Sequence, residues 1–148
     1  MPPPVPLSTE GPGPMLATLH AALGHEPSSS VVLVGFSEAH PSAAVILEVD
    51  ADEDWGQLIS RAATQLADDG ATEAVVADYD PMWDAYPERT AAQYAAGCLE
   101  AEGIRVRDAL CITGPAGARR WRSYGCSASC CPPGGTPVPT LDPGATHA

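Results

Sequence analysis

Residues 28–50 read "SSSVVLVGFSEAHPSAAVILEVD". Two β-branched, apolar runs, 28–36 and 43–49, flank a six-residue link that contains Pro41. Strands of this composition separated by a short proline-containing link predict a hairpin. The first run is apolar at consecutive positions instead of every second one. That pattern marks a strand covered on both faces. A sheet covered above and below needs a packed layer on each face, and the elements on either side of this hairpin decide what those layers are.

The flanking sequence supplies helices for those layers, which sets the class as α/β. Leu16, Leu19 and Leu23 recur at three and four within Met15 to Leu23, with Gly24 as a stop. Residues 53–69 form the clearest helix, where Trp55, Leu58, Ile59, Ala62 and Leu66 keep a 3.6-residue period. Asp52 suits its N-cap and Gly70 its end. A third strand is predicted at "TEAVVADY" (72–79) and a second long helix at 88–102, with Ala92, Ala95, Cys98 and Leu99 inward and Gly103 closing it. "IRVRDALCIT" (104–113) reads as a fourth strand, "GPAGA" as a turn and "RRWRSYG" (119–125) as a fifth strand. The order α-β-β-α-β-α-β-β predicts a single domain. Its sheet would be mixed, mostly parallel and five-stranded, with helices packed on it and a C-terminal β-hairpin. Residues 1–13 and 134–148 are too rich in proline and glycine to bury apolar surface and are expected to be disordered tails around a domain at 14–133.

The chain has 148 residues and a net charge of −12. It lacks lysine, so arginine supplies every basic side chain apart from histidine. Such an acidic balance disfavours nucleic acid and anionic lipid. No apolar run reaches the ~18 residues of a membrane span, and "MPPPVPLSTE" lacks the parts of a signal peptide. A cytoplasmic location follows as the expectation, and with it reduced thiols.

The C-terminal part carries the most distinctive string, "WRSYGCSASCCPPGGTPV" (121–138). With its Trp121, Ser123, Tyr124, Cys126, Cys130, Cys131, Pro132 and Gly135, it resembles the W-x-S-Y-x-C…CCP-x-x-G signature of an actinobacterial family, domain of unknown function 4192. "LGHEPSSSVVLVGF" (23–36) and "GIRVRDALCI" (103–112) are similar to two further segments of that family. The resemblance implies a shared fold, with a shorter cysteine spacer and a trimmed C-terminus here. It implies no particular activity.

Three thiols at Cys126, Cys130 and Cys131 could hold zinc, which wants four tetrahedral ligands. A hairpin that buries Trp121 against Leu110 or Ile112 holds Cys126 about 20 Å from Cys111 along the strand, too far for Cys111 to complete the set. The thiols could also do redox work beside the arginines, or simply fill a tight turn. No other cofactor is called for. The hairpin gathers Arg105, Arg107, Arg120 and Arg122 on one face, with Tyr124 opposite Arg107, Trp121 beneath and Asp108 on the other face near Ser123. A cluster of this kind is exposed or meets an anion or acidic partner. Asp78 and Asp80 sit where the third strand ends, a position from which paired carboxylates could hold Mg²⁺. His20, His25, His40 and His147 fall in a helix end, two loops and the tail, paired with no nucleophile. The reading is therefore a non-enzymatic interaction or accessory module that meets a protein partner through its arginine hairpin and cysteine turn. A metal-dependent hydrolase at Asp78 and Asp80, or a small zinc-binding domain, is the alternative.

Overall fold

The computed structural model describes residues 5–7, 11–38, 40–50, 54–79, 91–115, 117–123 and 136–139. In chain order these are β1 (Val5–Pro6), α1 (Pro12–Leu23), β2 (Ser30–Ser37), β3 (His40–Asp50), α2 (Trp55–Asp68), β4 (Glu73–Tyr79), α3 (Ala91–Ala101), β5 (Arg105–Thr113), β6 (Arg120–Ser123) and β7 (Thr136–Pro137). The α/β class, the three helices and the two hairpins agree with the sequence pattern.

The sheet differs from the expectation in composition and direction. Among the described residues it has seven strands in the order β1-β3-β2-β4-β5-β6-β7. Among its neighbouring pairs only β4 and β5 run parallel. The reason lies in the opening hairpin. β3 folds back beside β2 with Leu33 opposite Leu47, and α2 then carries the chain over β2 to that strand's free edge. β3 and β4 share a direction but are not neighbours, so the crossover yields an antiparallel contact between β2 and β4. β2 thereby becomes central, with seven of its eight residues buried. Its unbroken apolar run needs both neighbours and both helical layers.

The crossovers β3-α2-β4 and β4-α3-β5 step the same way across the sheet, and right-handed connections place their helices on one face. Ile59, Ala63 and Leu66 of α2 and Ala92, Ala95 and Leu99 of α3 pack there on Leu33, Val76 and Ile104. α1 covers the opposite face, where Leu16 and Leu19 meet Val32, Val34, Ala77, Leu110 and Ile112. Gly35 lets α2 come close, since a Cβ there would lie 2.7 Å from Leu66 Cδ2. Each helix ends in a glycine turn, at Gly24, Gly70 and Gly103, all with positive φ.

Two short strands lie within the stretches read as tails. Val5–Pro6 pairs with Ala43 and Ala44 of β3, and Leu7 is buried in the α1 core. Thr136–Pro137 pairs with β6, and Val138 donates its N–H to Arg119 O at 2.9 Å. Even a two-residue strand with a proline can close an edge, because the missing donor can face outward. α1 likewise starts at Pro12, three residues before its periodic apolar stripe, using proline in its first turn.

Candidate functional site

Polar side chains converge where α1 ends and the β5–β6 turn comes back over it. The convergence follows from local geometry. Gly24 takes the left-handed conformation that stops α1 and turns His25 and Glu26 away from the helix axis. Gly114, with φ of +96°, bends the chain after β5, and Gly117 then donates its N–H to Glu26 Oε2 at 2.6 Å. Arg119 fastens the two segments together. Its Nη1 donates to Gly114 O at 2.6 Å and its Nη2 to Pro27 O at 2.8 Å, while its guanidinium lies 5.9 Å from the Tyr79 ring centre. It is 5 % exposed, so its charge is compensated from within the fold by carbonyl dipoles and a ring face.

Tyr79 ends β4 on the α1 face, and its buried hydroxyl lies 2.6 Å from His20 Nε2. Burial pushes the phenol above its usual range, so it keeps its proton and donates to the imidazole. Burial likewise holds His20 below its ordinary 6.5, against the pull of Glu26 and with help from Arg119. A phenol that donates to Nε2 requires the tautomer protonated at Nδ1, and that nitrogen lies 3.9 Å from Glu26 Oε1. Beside this chain opens a cleft of about 450 Å³, walled by Ala17 and Ala21 on α1 and by Val138 and Pro139 after β7. At its rim His25 Nε2 pairs with Glu48 at 3.0 Å, and that bond raises the exposed imidazole's pKa.

The residues singled out in the sequence are placed differently. Trp121 pairs with Ile112, one of the two registers that bury the indole, and packs on the α1 core. Asp108 does meet Ser123, whose Oγ donates to its Oδ1 at 2.6 Å. The four arginines do not share a face. A bulge leaves Arg107 without a ladder partner between Val106 and Asp108, and its guanidinium lies 4.6 Å from the Phe36 ring centre on the α1 side. There it forms an ion pair with Glu73. Arg120 and Arg122 alternate with Trp121 and so point to the opposite face, paired with Thr113 and Cys111. Arg105 is exposed at the start of β5.

Asp78 lies within β4 at 3 % exposure, beside Cys111 in the β4–β5 ladder on the α2–α3 side. Asp80, Tyr124, Cys126, Cys130 and Cys131 lie outside the described residues. Among the described residues no three histidine, cysteine or carboxylate side chains gather as a metal site would require.

A match to the domain of unknown function DUF4192 spans residues 12–148. The chain belongs to the DUF4192 family. The match takes in α1, the sheet from β2 onward and every residue of the cleft, so the cleft is built wholly from the DUF4192 domain. No curated protein and no solved structure matches the chain.

His20, Glu26, Tyr79 and Arg119 formed no group in the sequence, because they come from four separate segments. Two signals pointed towards them. Tyr79 keeps the inward alternation of Val75 and Ala77, so its hydroxyl had to find a partner. His20 lies four residues after Leu16, on the inward stripe of α1.

Proposed function

We propose that this chain is a non-enzymatic binding module and that it takes a small ligand in the cleft beside α1. The observation that carries this is the cleft's own make-up: a concave site with apolar walls and a few fixed polar groups, the usual anatomy of a ligand pocket. Two polar side chains at or beside the cleft are committed to the fold. Tyr79 is buried with its proton retained, and Arg119 spends two nitrogens on backbone carbonyls, so neither serves as nucleophile or electrophile. Among the described residues no general base faces a nucleophile across the cleft. The buried setting of Asp78 argues against the hydrolase alternative, which needs an open metal position.

A protein partner at the hairpin remains a second reading, favoured by the exposure of Arg105 and Arg122 on β5 and β6.

Ligand-observed NMR with a fragment panel tests the first reading. Ala21 is exposed on the cleft wall, so Ala21→Trp fills the space without disturbing the core. Fragments that bind the wild type and are lost in Ala21→Trp support the cleft. A panel whose binding is the same in both proteins, or absent from both, overturns it.

A further inference from the structure

We infer that the α1 cleft receives a small organic cation, an ammonium or amidinium group on a short apolar body, with Glu26 as its counter-ion. This rests on the reading of the cleft as a binding site and adds the chemistry of the ligand.

The argument starts from which charges can still reach a ligand. Glu26 is partly exposed, with 27 % of its side chain open. Its Oε2 accepts from Gly117 N–H, which fixes the carboxylate plane. Its Oε1 has His20 Nδ1 at 3.9 Å, beyond hydrogen-bond reach, and burial lowers the pKa of that imidazole. One carboxylate oxygen is therefore positioned, oriented and still able to accept. Arg119, the cation that also lines the cleft, is buried, with its Nη atoms turned on Gly114 O and Pro27 O and the Tyr79 ring nearby.

Arg119 and His25 also line the cleft, but two features of the surroundings share the sign of Glu26. α1 ends at the cleft, and a helix C-terminus carries a partial negative charge from its unsatisfied carbonyls. The net charge of −12 adds an attractive field for cations at low ionic strength. The apolar share of the walls, Ala17, Ala21, Val138 and Pro139, matches a hydrocarbon body. A carboxylate at one end of an apolar slot selects an amidinium or ammonium over its neutral isostere, because only the cation forms a charge-assisted hydrogen bond.

Isothermal titration of the full chain at low salt tests this with benzamidine, butylammonium and Nα-acetyl-lysine amide. Benzamide, butanol and inorganic phosphate serve as the uncharged and anionic counterparts. The expected result is saturable binding of the cations, weaker by about tenfold or more for the neutral isosteres and for Glu26→Gln. Glu26→Gln keeps an oxygen to accept the Gly117 N–H, so the turn is preserved, and circular dichroism verifies the fold. Binding of the lysine derivative alone supports the inference and assigns the cation to a protein side chain, whereas binding of the free amines assigns it to a metabolite. Phosphate or benzamide binding as tightly as benzamidine overturns the inference, as does Glu26→Gln binding within about twofold of wild type. If the cations fail while other fragments bind and are lost in Ala21→Trp, the cation inference falls and the cleft stands. If no compound distinguishes wild type from Ala21→Trp, both fall.

Discussion

Beneath α2 and α3 the sheet meets a layer of fully buried aliphatic side chains, among them Leu33, Ile59, Leu66, Val76 and Leu99. Beneath α1 the aliphatic layer is similar in its middle, with Leu16, Leu19, Val32 and Leu110, but at one end it gives way to Tyr79, His20 and Arg119. The first face is held by area and fit, which are non-directional and roughly proportional to the apolar surface removed from water. The second is held partly by hydrogen bonds whose partners come from α1, β4 and the β5–β6 turn, and each fails if its partner moves by an ångström or two. Substitutions on the two faces should therefore differ in kind. On the α2–α3 face they change stability alone. On the α1 face they change stability less and the chemistry of the cleft more.

The largest effect is expected on the aliphatic face. Leu66→Ala removes a fully buried side chain and should cost about 2–5 kcal/mol in urea unfolding, with the α1 cleft unaltered. Gly35→Ala presses a new methyl on the same leucine and should cost about 1–3 kcal/mol alone, but markedly less when combined with Leu66→Ala. Costs that simply add would show that α2 does not sit on Gly35 as described. A middle-sized effect is expected at Tyr79→Phe, which removes the hydroxyl but keeps the ring, at about 1–2 kcal/mol. Its distinguishing consequence lies elsewhere: the His20 imidazole loses its donor, and its NMR titration should shift. An unmoved titration would reduce Tyr79 to one more core residue and erase the contrast between the faces.

The same contrast explains how far the sequence could be read. The α2–α3 face was legible because a 3.6-residue apolar period at Trp55, Leu58, Ile59, Ala62 and Leu66 reports one local fact, which side of a helix is dry. Strand direction was not legible from alternation of strands and helices, because the pattern is silent on which edge of β2 the returning strand takes. Arg107 shows the same limit at the scale of one residue. Perfect alternation puts Arg105 to Arg122 on a single face, and one bulge at β4–β5 sends Arg107 to Phe36 instead. The cleft was least legible of all. His20, Glu26, Tyr79 and Arg119 carry no common spacing, and nothing in the string "RRWRSYG" sets Arg119, which is buried against Pro27 and Gly114, apart from Arg120 and Arg122.

The smallest expected effect is also the one that separates two histidines only five residues apart. His20 is held below 6.5 by burial, so between its lowered folded value and 6.5 the unfolded chain binds more protons than the folded one. Stability should then fall as pH is lowered through that window, and protonation would also take away the lone pair that accepts from Tyr79. His25 is raised above 6.5 by its hydrogen bond to Glu48, so its contribution has the opposite sign: present in full below 6.5 and lost as pH rises through the raised folded value. His25 is solvent-exposed and its pair is screened, so its part should be small and should shrink further with added salt. Denaturant unfolding between pH 5 and pH 8 resolves the two. His20→Gln should flatten the acid side of the wild-type profile, and Glu48→Gln should alter only the neutral side while lowering the His25 titration midpoint. An acid side that survives His20→Gln unchanged would mean that the α1 face keeps its polar end for some purpose other than holding a neutral imidazole against Tyr79.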